Sequence, residues 1–328
     1  MIGMVITAGL VALLIAMLLA PIEALGWWAG WYGEELQQPT LRSLDSYSPF
    51  GAVRRPGHYV VFLDGIAKVG ESNYANVELF LDRLARELPT AEVLGDVMPY
   101  SVRNVGLLEN RPLAALWRYA HRLKTEGRQP LINFLINIRN LMQVLVAADS
   151  RYGPIYGQGE AQLIVNSLLK RGYEPASGVP VTIVGYSGGA QIALVAAPFL
   201  RRGLAAPVSL ISLGGIMSSD AGLMAVEHVW HLQGTLDRVP DIPAWMLPGR
   251  WSLMGHSHWN RLLRENRFTR VSAGPMRHSG RGNYLDPIAA FDGRSHLDHS
   301  AVLVGNVVNR IDAKLSARAK RTQVRPRD

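Results

Sequence analysis

Residues 182 to 194 read TIVGYSGGAQIAL: a β-branched apolar run, then three glycines grouped around one serine, then a stretch of small apolar residues. No other feature restricts the fold of this chain so strongly. A strand that feeds directly into a helix must turn sharply, and the side chain at the apex is thrust out at the carboxyl edge of the sheet. The flanking positions must then be nearly free of side chains. Gly185 lies two residues before Ser187 and Gly189 two after it, giving the spacing G-x-S-x-G, while Gly188 and Ala190 relieve crowding further. In that geometry the N–H of Gly188 and the start of the helix face any oxyanion that forms beside the serine hydroxyl. Neither G-x-G-x-x-G nor G-x-x-x-x-G-K-[ST] can be read across the same residues, which argues against a dinucleotide or P-loop site.

Short apolar runs alternate with helical patterns through the rest of the chain. HYVVFLD (58–64), AEVLGDVMP (91–99), VPVTIVGY (179–186), APVSLISLGG (206–215), EHVWHLQG (227–234) and RFTRVSAG (267–274) read as strands. Helices are expected over 76–88, where Val77, Leu81, Leu84 and Leu88 share a face, over 160–172 and over 297–315. Strands separated by helices imply an α/β domain, a mostly parallel sheet with helices on both faces, spanning 58–312. The stretch 103–158 does not fit the alternation and is expected to be a helical, cap-like insertion. Its apolar part, LINFLINIRNLMQVLVAA, has Arg139 in the middle and is not taken as a membrane span.

The first 22 residues carry no charged side chain, enough as a helix to cross a hydrocarbon core of about 30 Å. Trp27, Trp28, Trp31 and Tyr32 follow, the rings expected at headgroup level. Residues 1–32 are therefore expected to form a membrane anchor and 33–57, rich in Pro, Ser and Gly, a linker. About half of the formal charge of +8 lies in a basic tail at 313–328: from Ile311 to Asp328 there are six basic and two acidic residues. Such a tail is either a solvated, frayed terminus or a contact for an anionic membrane surface, which would favour the cytoplasmic leaflet, and no nucleic-acid-binding pattern accompanies the charge. The absence of cysteine removes thiolate nucleophiles and cysteine-ligated metals.

The elbow GYSGG and the order of elements over 58–312 resemble the α/β-hydrolase superfamily, of the serine esterase and lipase type. The resemblance implies a nucleophile, acid and histidine in that chain order, with the last two in loops after later strands, and no cofactor. Ser187 is the expected nucleophile. Asp237, in the loop after strand 227–234, is the expected acid, with Asp220 and Asp241 as alternatives. His278, in the loop after strand 267–274, is the expected base, with His296, His299, His256 and His258 as alternatives; His58, His121, His228 and His231 are expected to be structural. The loop after the first strand, FLDGIAKVG, should supply a second oxyanion donor, with Gly65 allowing close approach and Ile66 N–H donating, although Asp64-Gly65 stands where related enzymes often have His-Gly.

A membrane-anchored hydrolase of carboxylic esters follows as the expectation. The apolar insertion and Trp245, Trp251 and Trp259 point to a lipid-like substrate, unless those tryptophans are core residues. Two alternatives remain open: a metal-dependent hydrolase using His256, His258, His296 and His299, and a non-catalytic binding protein on the same fold.

Overall fold

A computed structural model describes residues 56–65, 71–97, 144–145, 147–149 and 151–324. The expected anchor, nearly all of the linker, most of the insertion, His121 and Ile66 lie outside the described residues.

Strands β1 (His58–Leu63), β2 (Ala91–Leu94), β3 (Val181–Tyr186), β4 (Val208–Leu213), β5 (Val229–Gln233) and β6 (Phe268–Ser272) form one sheet in the order β2-β1-β3-β4-β5-β6. Every pairing is parallel. The apolar runs of β1, β3 and β4 are buried at every position, as a sheet covered on both faces requires. Alternation along β1 divides the core: Tyr59, Val61 and Leu63 face one apolar layer, Val60 and Phe62 the other. Helices α2 (Gly153–Lys170) and α3 (Gly189–Leu204) fill the first layer; α1 (Glu71–Glu87) and the terminal α7 (His296–Val324) fill the second. Short elements α4 (Gly222–Ala225), α5 (Ile242–Met246) and α6 (His258–Arg264), two 3-10 turns (Val239–Asp241 and Pro248–Arg250) and a hairpin of β7 (Ala290–Phe291) and β8 (Arg294–Ser295) complete the described chain. The molecule is thus an α/β fold. No helix among the described residues is long and apolar enough to cross a membrane.

Strand order reverses between β1 and β3, so the connections leaving their carboxyl ends diverge and open a crevice there, the usual ligand position in open α/β sheets. Ser187 follows directly on β3 at this point.

Helix α2 begins seven residues before the expected start at 160. Pro154 stands in its first turn, where a missing N–H is harmless, and Gly157 lets it close on α3: a Cβ there would lie 2.0 Å from the Val195 carbonyl oxygen. Pro198 inside α3 removes a helical bond to the Leu194 carbonyl, and Gly222 packs against that oxygen so tightly that a Cβ would come within 1.8 Å. Helix α7 runs on to Val324, so residues 313–324 of the expected tail continue the helix. Its start is capped by Ser295, whose Oγ accepts from Asp298 N at 3.0 Å and donates to Asp298 Oδ2 at 2.7 Å. His58 ties α7 to the amino edge of the sheet, 2.6 Å from Asp312 Oδ1 and 2.8 Å from Thr182 Oγ1.

Glu160, on α2, is only 3% exposed, and its Oε2 has no hydrogen-bond partner among the described residues. Burial pushes its carboxyl up from the usual 4.5 to about 8. The folded state therefore holds this proton more tightly than the unfolded chain does. Its contribution to stability is full below about pH 4.5 and is lost as pH rises toward 8. Glu160→Gln removes that titration: melting curves at pH 5 and pH 9 should show the variant gaining on wild type at the higher pH, and an equal difference at both would contradict the assignment.

Candidate active site

Ser187 occupies the bend between β3 and α3 with φ of 53°, a left-handed conformation that a residue with a side chain adopts only under constraint. Backbone bonds to the neighbouring strand impose it. Ser187 N donates to the Leu213 carbonyl at 3.2 Å, and its own carbonyl accepts from Ile216 N at 3.0 Å and Ala190 N at 3.2 Å. The glycines are required by contact. A Cβ at Gly185 would lie 2.5 Å from Ala190 Cα, and one at Gly189 would lie 2.3 Å from the Leu63 carbonyl oxygen. Gly188 stands at the N-cap of α3. Gly65 passes so close that its Cβ would be 2.9 Å from that of Ser187, which brings the loop after β1 beside the serine. Gly65 N–H is taken by the Asp64 carboxylate at 2.7 Å, so Asp64 shapes this loop.

The three residues singled out in the sequence meet here. Ser187 Oγ is 2.8 Å from His278 Nε2, and His278 Nδ1 is 3.0 Å from Asp237 Oδ2. A carboxylate accepting from Nδ1–H assigns the proton to that nitrogen and leaves Nε2 as acceptor toward the hydroxyl. Asp237 is 1% exposed, and its charge is met by three donors: His278 Nδ1–H, Val239 N–H at 3.0 Å and Tyr284 O–H at 2.8 Å. The Tyr284 oxygen also accepts from Gly234 N–H at 2.8 Å, which locks the phenol against the start of the acid-bearing turn. Burial, reinforced by the Asp237 charge, pushes the Tyr284 phenol far up, so it stays a donor.

A second tyrosine holds the histidine. Tyr186, just before the serine, donates through its hydroxyl to the His278 carbonyl at 2.6 Å, and the two rings stack with centroids 6.1 Å apart. Burial, then the charges of Asp64 and Asp237, raise this phenol as well. The two phenol rings meet edge to face at 5.8 Å. The loop beyond His278 is organised by Asp286, whose carboxylate accepts from the backbone N–H groups of Gly282, Ile288 and Ala289. Burial opposes its ionisation, but these bonds leave the carboxyl below the usual carboxylate range. Tyr284, Tyr186 and Asp286 were not read as functional from the sequence.

The alternative acids are engaged elsewhere. Asp220 accepts from Gly222 N at 2.6 Å, and Asp241 from the Gln233 amide at 3.1 Å. Among the other imidazoles, His296 contacts the Gly282 carbonyl at 3.0 Å, His299 meets the Phe291 ring, and His256 and His258 are exposed. His228 and His231 bond to Thr269 and Ser212. Among the described residues no group of three His, Cys, Asp or Glu is placed to hold a metal ion. The chain matches no protein-family model, and no curated protein is significantly similar to it.

Chemically, the arrangement is a hydroxyl on an imidazole whose other nitrogen faces a buried carboxylate, the geometry in which a histidine takes a proton from an attacking oxygen. The contacts of the bend set a stability test. Gly189→Ala should cost roughly 2 kcal/mol or more, because backbone lines the clash. Gly203→Ala, in α3 with nothing within 4 Å, should be neutral or stabilise by up to about 1 kcal/mol. Chemical denaturation of the two variants compares them directly, and equal stabilities would contradict the reading of the bend.

Proposed function

We propose that this protein is a membrane-anchored serine hydrolase of the α/β-hydrolase type that cleaves carboxylic esters through an acyl-enzyme on Ser187. The observation that carries the reading is the Ser187, His278 and Asp237 relay at 2.8 and 3.0 Å. Its placement supports the family assignment: the bend follows β3 at the strand-order reversal, the acid follows β5 and the histidine follows β6.

In the proposed reaction His278 Nε2 takes the Ser187 proton as Oγ attacks the ester carbonyl. The imidazolium formed is stabilised by Asp237, and it returns the proton to the departing alkoxide. The N–H of Gly188, at the head of α3, is assigned to the developing oxyanion, and the N–H of Ile66, which lies outside the described residues, is the second donor expected from the sequence; the preceding Gly65 lies beside Ser187. Water, deprotonated by the same imidazole, then releases the acid. No cofactor enters this scheme. The substrate is assigned to lipid-like esters on the sequence evidence for an anchor and on two of the three tryptophans: Trp245 and Trp251 are exposed, whereas Trp259 is buried against Phe268.

Aryl esters of increasing acyl length provide the assay. Ser187→Ala and His278→Ala should each lower kcat by a factor of about 10⁴ or more; full turnover in either folded variant would overturn the proposal. Tyr284→Phe keeps the ring and removes the donor to Asp237. The buried carboxylate then loses one of its three donors, and its hold on the His278 ring loosens. The variant's kcat should fall on the order of tenfold. A kcat equal to that of wild type would remove Tyr284 from the relay.

A further inference from the structure

The carboxyl edge of the sheet carries a second feature that ester cleavage does not use. Between β5 and β6 the chain passes through residues 239–264, and this segment is fastened to the loop after β4. Arg250 Nη1 donates to the Met217 carbonyl at 2.6 Å and Trp259 N to Ser219 Oγ at 3.0 Å. Gly249 approaches Ser219 so closely that a Cβ would lie 2.6 Å from the serine's own. Residues 217–219 follow Leu213, the carboxyl end of β4, so the segment lies along the same sheet edge as Ser187.

Its apolar side chains point into water. Leu253 is 90% exposed, Trp245 71% and Met246 62%, and Trp251 and Met254 are exposed beside them. Single exposed apolar residues are ordinary; five within ten residues of one short segment mark a contact surface. The turn that carries Leu253 is also held in place. Met254 N donates to the Trp251 carbonyl at 3.0 Å, and Asn260 Nδ2 donates to the carbonyls of both Trp251 and Met254 at 2.7 and 3.0 Å. Three hydrogen bonds thus hold a leucine outward, against the tendency of an apolar side chain to bury.

The charge beside this surface is basic. Arg238 and Arg264 are exposed, Arg261 is exposed but paired with Glu265, and Arg264 Nη1 donates to the Gly255 carbonyl at 2.6 Å, which keeps its guanidinium next to Met254. The acids are occupied: Asp237 is buried, Asp241 receives the Gln233 amide, and Glu265 bonds to Arg261 and Arg267. Exposed Trp, Leu and Met bordered by Arg is the composition that sits at the headgroup boundary of an anionic bilayer. The membrane anchor proposed for the charge-free first 22 residues would place a bilayer near this surface.

We propose that residues 242–254 form a docking surface for an anionic lipid bilayer, with Leu253, Met254, Met246 and Trp245 entering the headgroup region and the arginines contacting lipid phosphates. Docking turns the sheet edge that bears Ser187 toward the lipid. The surface stands independently of the ester chemistry; only the consequence that the substrate arrives from the bilayer rests on the hydrolase reading.

The chain holds no cysteine, so a single nitroxide can be placed cleanly. Full-length Leu253→Cys and, as the control on the opposite sheet edge, Arg202→Cys are spin-labelled and reconstituted into phosphatidylcholine vesicles with and without phosphatidylglycerol. Collision rates with oxygen and with a water-soluble nickel chelate report immersion. The label at 253 should become several-fold more accessible to oxygen relative to nickel in the anionic vesicles only, while the label at 202 stays aqueous. A 253 label that stays aqueous, equal immersion of both labels, or immersion independent of phosphatidylglycerol would overturn the proposal. Spin–spin broadening at 253 that disappears on dilution in detergent would assign the surface to a second copy of the chain instead. Because the readout is depth and not turnover, an inactive Ser187 leaves its outcome unchanged.

Discussion

The backbone at Ser187 is squeezed from two sides, and most of the structure around it follows from that squeeze. On one side the carbonyls of Leu63 and Asp64 occupy the space a Cβ at Gly189 would need; on the other, the first turn of α3 occupies the space beside Gly185. Bonds to Leu213 and Ile216 hold the serine in a left-handed conformation between them. Such a conformation costs of order 1–3 kcal/mol at a residue with a side chain, so it persists only where its surroundings leave no alternative. The parallel neighbours β1 and β4 are those surroundings. They present the hydroxyl at the point where strand order reverses and a crevice opens.

A hydroxyl held in this way still needs its partners in register, and two phenols supply that register. Tyr186 comes from the strand that leads into the bend and Tyr284 from the loop after the histidine, yet their rings meet at 5.8 Å. One oxygen holds the backbone of His278 and the other the carboxylate of Asp237. A charge as buried as that of Asp237 is tolerable only with its donors in place, so loss of Tyr284 affects both the acid and the ring it faces. The same sheet edge carries the pinned, outward-facing Leu253 turn, which sets the site and an apolar surface on one side of the molecule.

The sheet was legible in the sequence because its central strands β1, β3 and β4 are buried on both faces and therefore appear as nearly unbroken apolar runs, whereas the edge strands β2 and β6 are only partly buried; all six main strands fall within the expected spans. The convergence of Ser187, Asp237 and His278 was legible through chain order, since they follow the carboxyl ends of β3, β5 and β6 in turn. The early start of α2 was not, because Gly153, Gly157 and Gly159 suggest a loop, and only the packing shows why two of them are there: a Cβ at Gly157 would strike the Val195 carbonyl of α3 and one at Gly153 the Ala147 carbonyl. The β7-β8 hairpin was missed although Asp292-Gly293, both at positive φ, is a strong two-residue turn signal. Tyr186 and Tyr284 left no trace of their role, since a tyrosine in a strand or loop reads as core until its hydroxyl is seen to find an acceptor more than 40 residues away.

The central claim is that Ser187 is a nucleophile because of where its oxygen sits. Reaction of the folded, full-length protein with a fluorophosphonate, followed by intact-mass and peptide mapping, tests it most directly. The proposed chemistry predicts one adduct, on Ser187, absent in Ser187→Ala and strongly slowed in His278→Ala. No adduct on folded wild type, or an adduct retained in Ser187→Ala, would contradict it.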